Sequence, residues 1–370
     1  MMRTRVGKPD YLLAMTVFLL CVFGIVMISS ASIVLSGERF GHNFYYVTHQ
    51  IISFVIGLAA LILGYFIDYR FWRKLALIMF LASLIMLLGV FLPGIGREFG
   101  GAHRWLGIGN ILFQPSEVVK LTFIIYFASW LERKGEGIRD FSAGFIPFIV
   151  LIVILGFLIM SQPDLGTLSV IAITAVVIFF IAGARYTHIG LATIGALILF
   201  TILVRIAPYR MQRFIVFLNP GEQTLGAAYH INQALIGIGS GGLWGLGFGQ
   251  GKQKYLYLPQ PHIDSIFAVI AEELGFIRAS FILLAYVFIG IRGFKIARHA
   301  PDNFAKYLAI GITAWIVLQA FINIAAMLNL LPLTGIPLPF ISFGGSSLIV
   351  NLFAIGILLN ISKFSSAQES

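Results

Sequence analysis

Apolar residues run along this chain in long blocks separated by short polar segments, with no sustained alternation of apolar and polar positions. Blocks of this length read as membrane-crossing helices, because about 20 largely apolar residues span the hydrocarbon core of a bilayer. The pattern predicts an all-α fold, a polytopic integral membrane protein with about ten transmembrane helices. The expected spans are 11–34, 49–67, 74–93, 116–131, 143–161, 165–183, 187–206, 264–291, 306–329 and 340–361, the fourth to sixth being the hardest to delimit. The first block is too long for the apolar core of a cleaved signal and lacks a clear cleavage site, so it is expected to remain as a span. An even number of spans puts both ends on one side. One membrane domain, residues 1–370, is expected, with a large polar loop at about 206–263 between helices 7 and 8. An ordered loop that long is usually functional.

Composition agrees with immersion in lipid. The chain is 59% hydrophobic and 11% charged, where a soluble domain carries about a quarter charged residues. The single cysteine, Cys21, excludes a disulfide framework and a cysteine metal site, and its apolar surroundings mark it as a small hydrophobe. A net charge of +10 could point to nucleic acid. In a membrane protein the excess of Lys and Arg in cytoplasmic loops explains it better, and no nucleic-acid partner is expected. With the N-terminus inside, Arg3, Arg5, Lys8, Arg70, Arg73, Lys74, Arg133, Lys134 and Arg139 begin an inner series that continues to Lys363. Arg39, Arg97, Arg104, Arg205, Arg210, Arg213, Lys252 and Lys254 fall outside. Both termini are therefore expected in the cytoplasm. Most of the outer cations lie in two segments, 94–116 and 205–263, which are rich in glycine, proline and aromatics.

Ionisable residues near or within spans are the first candidates for chemistry. Asp264, Glu272 and Glu273 stand at the start of the eighth span. Eight residues of helix separate Asp264 from Glu272 by about 12 Å, too far to share a proton. Asp264 is placed either to cap the helix or to act on a substrate, since a helix start favours a carboxylate. Glu272 and Glu273 lie deeper and are expected to hold neighbouring segments. Glu117 and Lys120, at i,i+3 behind Pro115, can pair; alternatively Lys120 faces a cavity and meets an anion. Arg104 sits beside Trp105, an aromatic suited to interfacial anchoring. Arg210 and Arg213 could contact lipid phosphates or grip a pyrophosphate. His230 and His262 lack further ligands at zinc spacing. Gly239 to Gly249 lacks the Gly-Lys-Ser/Thr of a phosphate-binding loop and is expected to let the backbone turn tightly and approach other segments. The stretch Pro337 to Ser347, with Ser342 and Ser346, is irregular, so at that depth it must be buried in protein or line a wet cavity. These features converge on an outward-facing cavity with one carboxylate at its rim, several cations and aromatics, and a lid-like loop. An anionic, lipid-linked substrate fits such a site.

Seven ordered motifs carry a resemblance that runs nearly end to end. They are Gly-Ala-His-Arg-Trp at 101–105, Phe-Gln-Pro-Ser-Glu with Lys120, Gln-Pro-Asp-Leu-Gly-Thr at 162–167, Tyr229 to Ala234, Gly239 to Leu243, Leu258 to Glu273, and Leu331 to Ser347. On these the chain resembles the SEDS family (shape, elongation, division and sporulation), with FtsW, RodA and SpoVE, and within it the division-type members most. The resemblance implies a peptidoglycan glycosyltransferase that polymerises lipid II on the outer face of the bacterial cytoplasmic membrane. It places the key carboxylate at Asp264 and marks Trp105, Glu117 and Lys120 as sensitive. His262, Ser342 and Ser346 join Arg104, Arg210 and Arg213 as candidate substrate-binding residues. The expected mechanism inverts the donor sugar with one general base. The leaving undecaprenyl pyrophosphate requires cations, from Arg104, Lys120, Arg210 and Arg213 or from a divalent metal such as Mg. Implied partners are lipid II, undecaprenyl-linked glycan, a class B penicillin-binding protein and other divisome or elongasome membrane proteins. Ser265 in place of the usual Phe, Arg278 in place of a common Gly, and Leu112 in place of a frequent Arg depart from the family pattern. A lipid II flippase and a non-catalytic scaffold for the penicillin-binding protein are the rival classes. The flippase would favour an inverted repeat, and none is visible.

Overall fold

A computed structural model describes residues 7–99, 102–108, 111–219 and 226–365. Arg3, Arg5, Gly101 and residues 220–225 of the long loop lie outside the described residues. Ten long helices account for the expected spans: α1 (Tyr11–Phe40), α2 (Tyr45–Phe66), α3 (Tyr69–Gly89), α4 (Pro115–Lys134), α5 (Ile146–Met160), α6 (Leu165–Ile181), α7 (Tyr186–Ile206), α10 (Ile266–Arg298), α11 (Asn303–Met327) and α12 (Gly345–Ser365). Eight of the ten are long and apolar enough to cross a membrane, α5 being lengthened by the π-helical turn before it. The count of ten rests on the other two. α4 has the length, 20 residues, but carries Glu117, Lys120, Glu132, Arg133 and Lys134; α6 is apolar but only 17 residues long.

The fold departs from the all-α expectation between α3 and α4. That segment has no apolar run long enough to span, and it folds as a three-stranded antiparallel sheet in the order β1 (Gly96–Phe99), β2 (Ala102–Ile108), β3 (Ile111–Phe113). Arg97 pairs with Trp105 and Gly107 with Leu112. The loop after α7 is not a plain loop either. It contains α8 (Pro208–Leu218) and α9 (Ala227–Gly241), of 11 and 15 residues, both too short to span.

Aspartates fix several helix starts. Asp10, Asp68, Asp164 and Asp302 each accept a backbone N–H within the first turn that follows, at 2.8–3.1 Å, which satisfies a donor the helix itself leaves free. The two ends of the chain meet: Gly7 N–H donates to the Lys363 carbonyl at 2.7 Å and Asp10 N–H to Ser362 Oγ at 3.0 Å. Both ends therefore sit at one end of the bundle, as an even number of spans requires. α11 and α12 form its centre, with about four-fifths of their apolar stretch buried, whereas α7 stands at the edge with 11% buried.

α10 is broken. Gly275 has φ 79° and ψ 174°, which no helix accommodates. The backbone groups released there are taken up by the glycine-rich segment after α9. Phe276 and Ile277 N–H donate to the Gly242 and Leu243 carbonyls at 2.9 and 3.2 Å, and Leu246 and Gly247 N–H donate to the Glu272 and Glu273 carbonyls at 3.0 and 2.9 Å. A Cβ on Gly245 would lie 2.3 Å from the Glu273 carbonyl oxygen, so only glycine permits the approach. The irregular stretch before α12 is buried in protein. Gln319 and Asn323 of α11 donate to the Pro337 and Ile336 carbonyls at 2.9 and 2.8 Å, and the Tyr286 hydroxyl donates to Pro339.

Candidate functional site

A cavity of about 650 Å³ opens where the sheet, α8, α9 and the segment before α10 come together. Its walls divide by chemistry. Arg104 of β2, Arg210 and Arg213 of α8, His230 of α9 and Asp264 form the polar end, while Ile173 of α6 and Phe200 and Val204 of α7 carry it into the apolar bundle. A cavity built this way suits a ligand with an anionic head and an apolar tail.

Asp264 does not cap α10. The helix begins at Ile266, and its N-cap is Ser265. Unlike the four capping aspartates, Asp264 leaves one carboxylate oxygen to the cavity: the residue is 8% exposed, and Oδ1 has no hydrogen-bond partner, while its own N–H and the Ser265 hydroxyl reach the carboxylate. Its main chain is held from α11, where Asn323 Nδ2 donates to both the Asp264 and Ile336 carbonyls at 2.8 Å. Burial pushes the Asp264 carboxyl above its ordinary value, against the pull of His230 and Arg213. A carboxylate so raised is a stronger base than one in water.

The three arginines are anchored and still have donors to offer. Arg104 donates from Nε to the Gln162 carbonyl at 2.8 Å and from a terminal nitrogen to Pro163. Arg210 donates from Nε to the Tyr209 hydroxyl at 2.8 Å and from a terminal nitrogen to the Leu203 carbonyl at 3.1 Å. Arg213 donates to the Leu333 carbonyl at 3.2 Å. A guanidinium has five N–H groups, so each fork is oriented by backbone and retains N–H groups for an anion.

The other sequence-expected residues are placed outside the cavity wall. Trp105 follows Arg104 on β2, and strand alternation turns it to the opposite face. Lys120 and Glu117 are buried inside the bundle, paired at 2.8 Å, with Lys120 also donating to Gln319 Oε1 at 2.8 Å and standing over the Trp315 ring. The placement differs from a phosphate-binding Lys120 for a simple reason: an ammonium this deep needs its carboxylate close by. His262 is packed between the Tyr46 and Phe343 rings, with centroids at 4.1 and 5.5 Å. Burial, reinforced by the charge of Arg39, pushes its imidazole down to about 4. Ser342 Oγ accepts from Leu338 N–H at 2.7 Å and Ser346 Oγ from Gln114 N–H at 3.1 Å, so both serve the backbone.

Glu272 and Glu273 hold the loop in place. Glu272 accepts from the backbone N–H of Lys252 and Gln253; Glu273 accepts from Gly249 N–H, Ser30 Oγ and Lys254 Nζ, the last at 2.8 Å. Lys254 is thereby buried and unavailable to the cavity. Arg278 reaches the Trp244 carbonyl at 3.4 Å rather than either glutamate.

Sequence reading weighed His230 only as a metal ligand. Its Nε2 lies 2.6 Å from Ser265 Oγ, next to Asp264, and its ring lines the cavity. Asn323, near the C-terminal end of the apolar helix α11, was missed altogether; a carboxamide in such a helix is itself a signal of buried backbone to be bonded.

The chain matches the family of FtsW, RodA and SpoVE, described as cell cycle protein, over residues 10–367. It is 40% identical over 364 residues to stage V sporulation protein E of Bacillus subtilis, covering 98% of this chain and 100% of that one. It is 42% identical over 351 residues to a probable peptidoglycan glycosyltransferase FtsW of Geobacter metallireducens, covering 95% and 93%. Among solved structures, a chain from work on the structural coordination of polymerization and crosslinking by a peptidoglycan synthase complex is 26% identical, with TM-score 0.80 and coverage of 96% and 98%. The rod shape determining protein RodA of Thermus thermophilus is 27% identical, with TM-score 0.71 and coverage of 96% of each chain.

The buried pair on α4 makes a prediction. Lys120→Met or Glu117→Gln alone leaves a lone charge in the bundle and should lower stability by about 3–5 kcal/mol, while the double variant recovers much of that loss. Thermal unfolding in detergent reads this. A Lys120→Met protein that unfolds no earlier than wild type contradicts a structural pair.

Proposed function

The chain belongs to the FtsW, RodA and SpoVE family of cell cycle proteins, and we propose the chemistry by which it works as a peptidoglycan glycosyltransferase. The observation that carries the proposal is Asp264: a buried carboxylate with an unpaired oxygen, in an amphiphilic cavity that also holds three arginines. The enzyme polymerises lipid II. The 4-hydroxyl oxygen of one lipid II attacks the anomeric carbon of the reducing-end sugar of the lipid-linked strand. Asp264 takes the hydroxyl proton. The bond from that carbon to the undecaprenyl pyrophosphate breaks, and the pyrophosphate leaves with the electron pair. An α-linked donor becomes a β-linked product in one inversion, so one base suffices and the second carboxylate of a retaining glycosidase is not needed.

The developing charge on the pyrophosphate falls to Arg104, Arg210 and Arg213, whose forks are already oriented. Among the described residues no group of three or more His, Cys, Asp or Glu could hold a metal. This donor set does not favour a protein-built Mg site. The apolar depth between α6 and α7 receives the polyprenyl chain.

The setting follows from the same features. The protein lies in the bacterial cytoplasmic membrane with both termini in the cytoplasm and the 206–263 segment outside. The meeting of the two chain ends and the Lys and Arg bias support this orientation. The likeness to a chain of a peptidoglycan synthase complex supports a class B penicillin-binding protein as partner, alongside other divisome or elongasome membrane proteins.

Asp264→Asn keeps shape and removes basicity. It should fold and insert but lose polymerisation by about 10²–10⁴-fold, the usual contribution of general-base catalysis. A well-folded Asp264→Asn protein with near wild-type rate would remove Asp264 from the chemistry. The orientation is tested separately by placing a cysteine at Gly226, the buried Cys21 staying silent. An impermeant thiol reagent should label it in intact cells; labelling only after lysis contradicts an external loop.

A further inference from the structure

His230 is half-buried, titratable, in the wall of the cavity, and unused by the chemistry above. We propose that His230 is a second proton-binding site of the polymerisation centre, a positioning residue that must be neutral for Asp264 to act. The inference rests on the reading of Asp264 as general base.

The hydrogen bonds assign its tautomer. Ser265 Oγ donates to the Pro259 carbonyl at 2.9 Å. A carbonyl only accepts, and so does the Asp264 carboxylate that the Ser265 hydroxyl also reaches, so the one hydroxyl hydrogen goes to these acceptors and not to His230. The 2.6 Å contact between Ser265 Oγ and His230 Nε2 then requires Nε2 to carry the proton and donate. The nitrogen that titrates is therefore Nδ1.

The position of that bond gives it a role. Ser265 follows Asp264 directly, so the turn bearing the base is held on two sides: by His230 through the Ser265 hydroxyl, and by Asn323 through the Asp264 carbonyl. A proton arriving at Nδ1 leaves the Nε2 bond in place but puts a full positive charge beside Asp264. That charge stabilises the carboxylate and weakens it as a base. The groups acting on the ring are few. Asp264, from the segment before α10, favours protonation; Arg213, from α8, opposes it; no charged group of α10 or α11 takes part. Burial outweighs Asp264 and holds the imidazole below its ordinary value, so His230 is neutral at neutral pH.

The sign of the effect follows. The active form has Asp264 ionised and His230 neutral, and each is lost by gaining one proton as the pH falls. Two interacting groups of this kind titrate as a pair. The test is kcat/KM for polymerisation of purified lipid II by the purified full-length protein, from neutral to acid pH. In wild type, log kcat/KM should fall on the acid side with a limiting slope of about two. His230→Gln keeps an N–H donor for Ser265 and cannot take up a proton; whatever its plateau, its slope should be about one. Ser265→Ala, which removes the hydrogen bond but leaves the imidazole, should retain a slope of about two. A purely structural histidine would lower the whole profile and leave its slope unchanged, and equal slopes in wild type and His230→Gln overturn the proposal. If His230→Gln does not fold, nitrogen shifts of labelled histidine decide. The signal displaced by Ser265→Ala should be a neutral Nε2–H imidazole at neutral pH; an imidazolium or an Nδ1–H tautomer overturns the proposal. Failure here is distinct from failure of the base: an inactive Asp264→Asn with equal slopes removes only His230, whereas an active Asp264→Asn removes the base itself.

Discussion

A peptide group without a hydrogen-bond partner is expensive in an apolar surrounding, and the architecture around the site follows from meeting that demand at the break in α10. The helix opens at Gly275, and the segment after α9 lays its backbone across the gap. Glu272 and Glu273, just before the break, then bind the backbone of Lys252, Gln253 and Gly249 and the ammonium of Lys254. The loop between α7 and α10 is thus woven into the bundle along much of its length. Because that loop is fixed, His230 and Pro259 have defined places beside the turn that presents Asp264.

Charge is distributed accordingly. Lys120 and Lys254 are neutralised inside the protein by Glu117 and Glu273. Arg104, Arg210 and Arg213 instead satisfy backbone carbonyls with part of each fork and face the cavity. Arginine suits this task because it stays charged and can bind backbone and ligand together. Asp264 is the counterpart: its carbonyl is held by Asn323 while its Oδ1 is left without a partner. A buried acceptor in that state is costly unless a donor such as a substrate hydroxyl arrives.

Much of this was legible in the sequence, for physical reasons that also set the limit. Spans are dictated by apolar length, so all ten helices were legible, although α4 carries charge and α6 is short for a crossing. The i,i+3 spacing of Glu117 and Lys120 gave their pair, and the glycines from 239 to 249 foretold a close backbone approach. The three-stranded sheet, α8 and α9 were hidden because no membrane-length periodicity marks them. Sequence alone also could not tell which cations are spent. Lys120, Arg104 and Arg213 look alike along the chain, and only the fold separates the buried ammonium from the cavity-facing forks. Asn323 and the Ser265–His230 contact join residues far apart in the chain, which no local pattern encodes.

The central claim is that this cavity joins lipid-linked sugars, as opposed to moving them across the bilayer or merely holding a partner. It is tested most directly with purified protein and purified lipid II in vesicles, alone and with the proposed class B penicillin-binding protein. The account predicts glycan strands and one undecaprenyl pyrophosphate released for each linkage formed. Lipid II that changes leaflet or stays in place while no pyrophosphate is released, under conditions where the protein is folded and its partner bound, would contradict it.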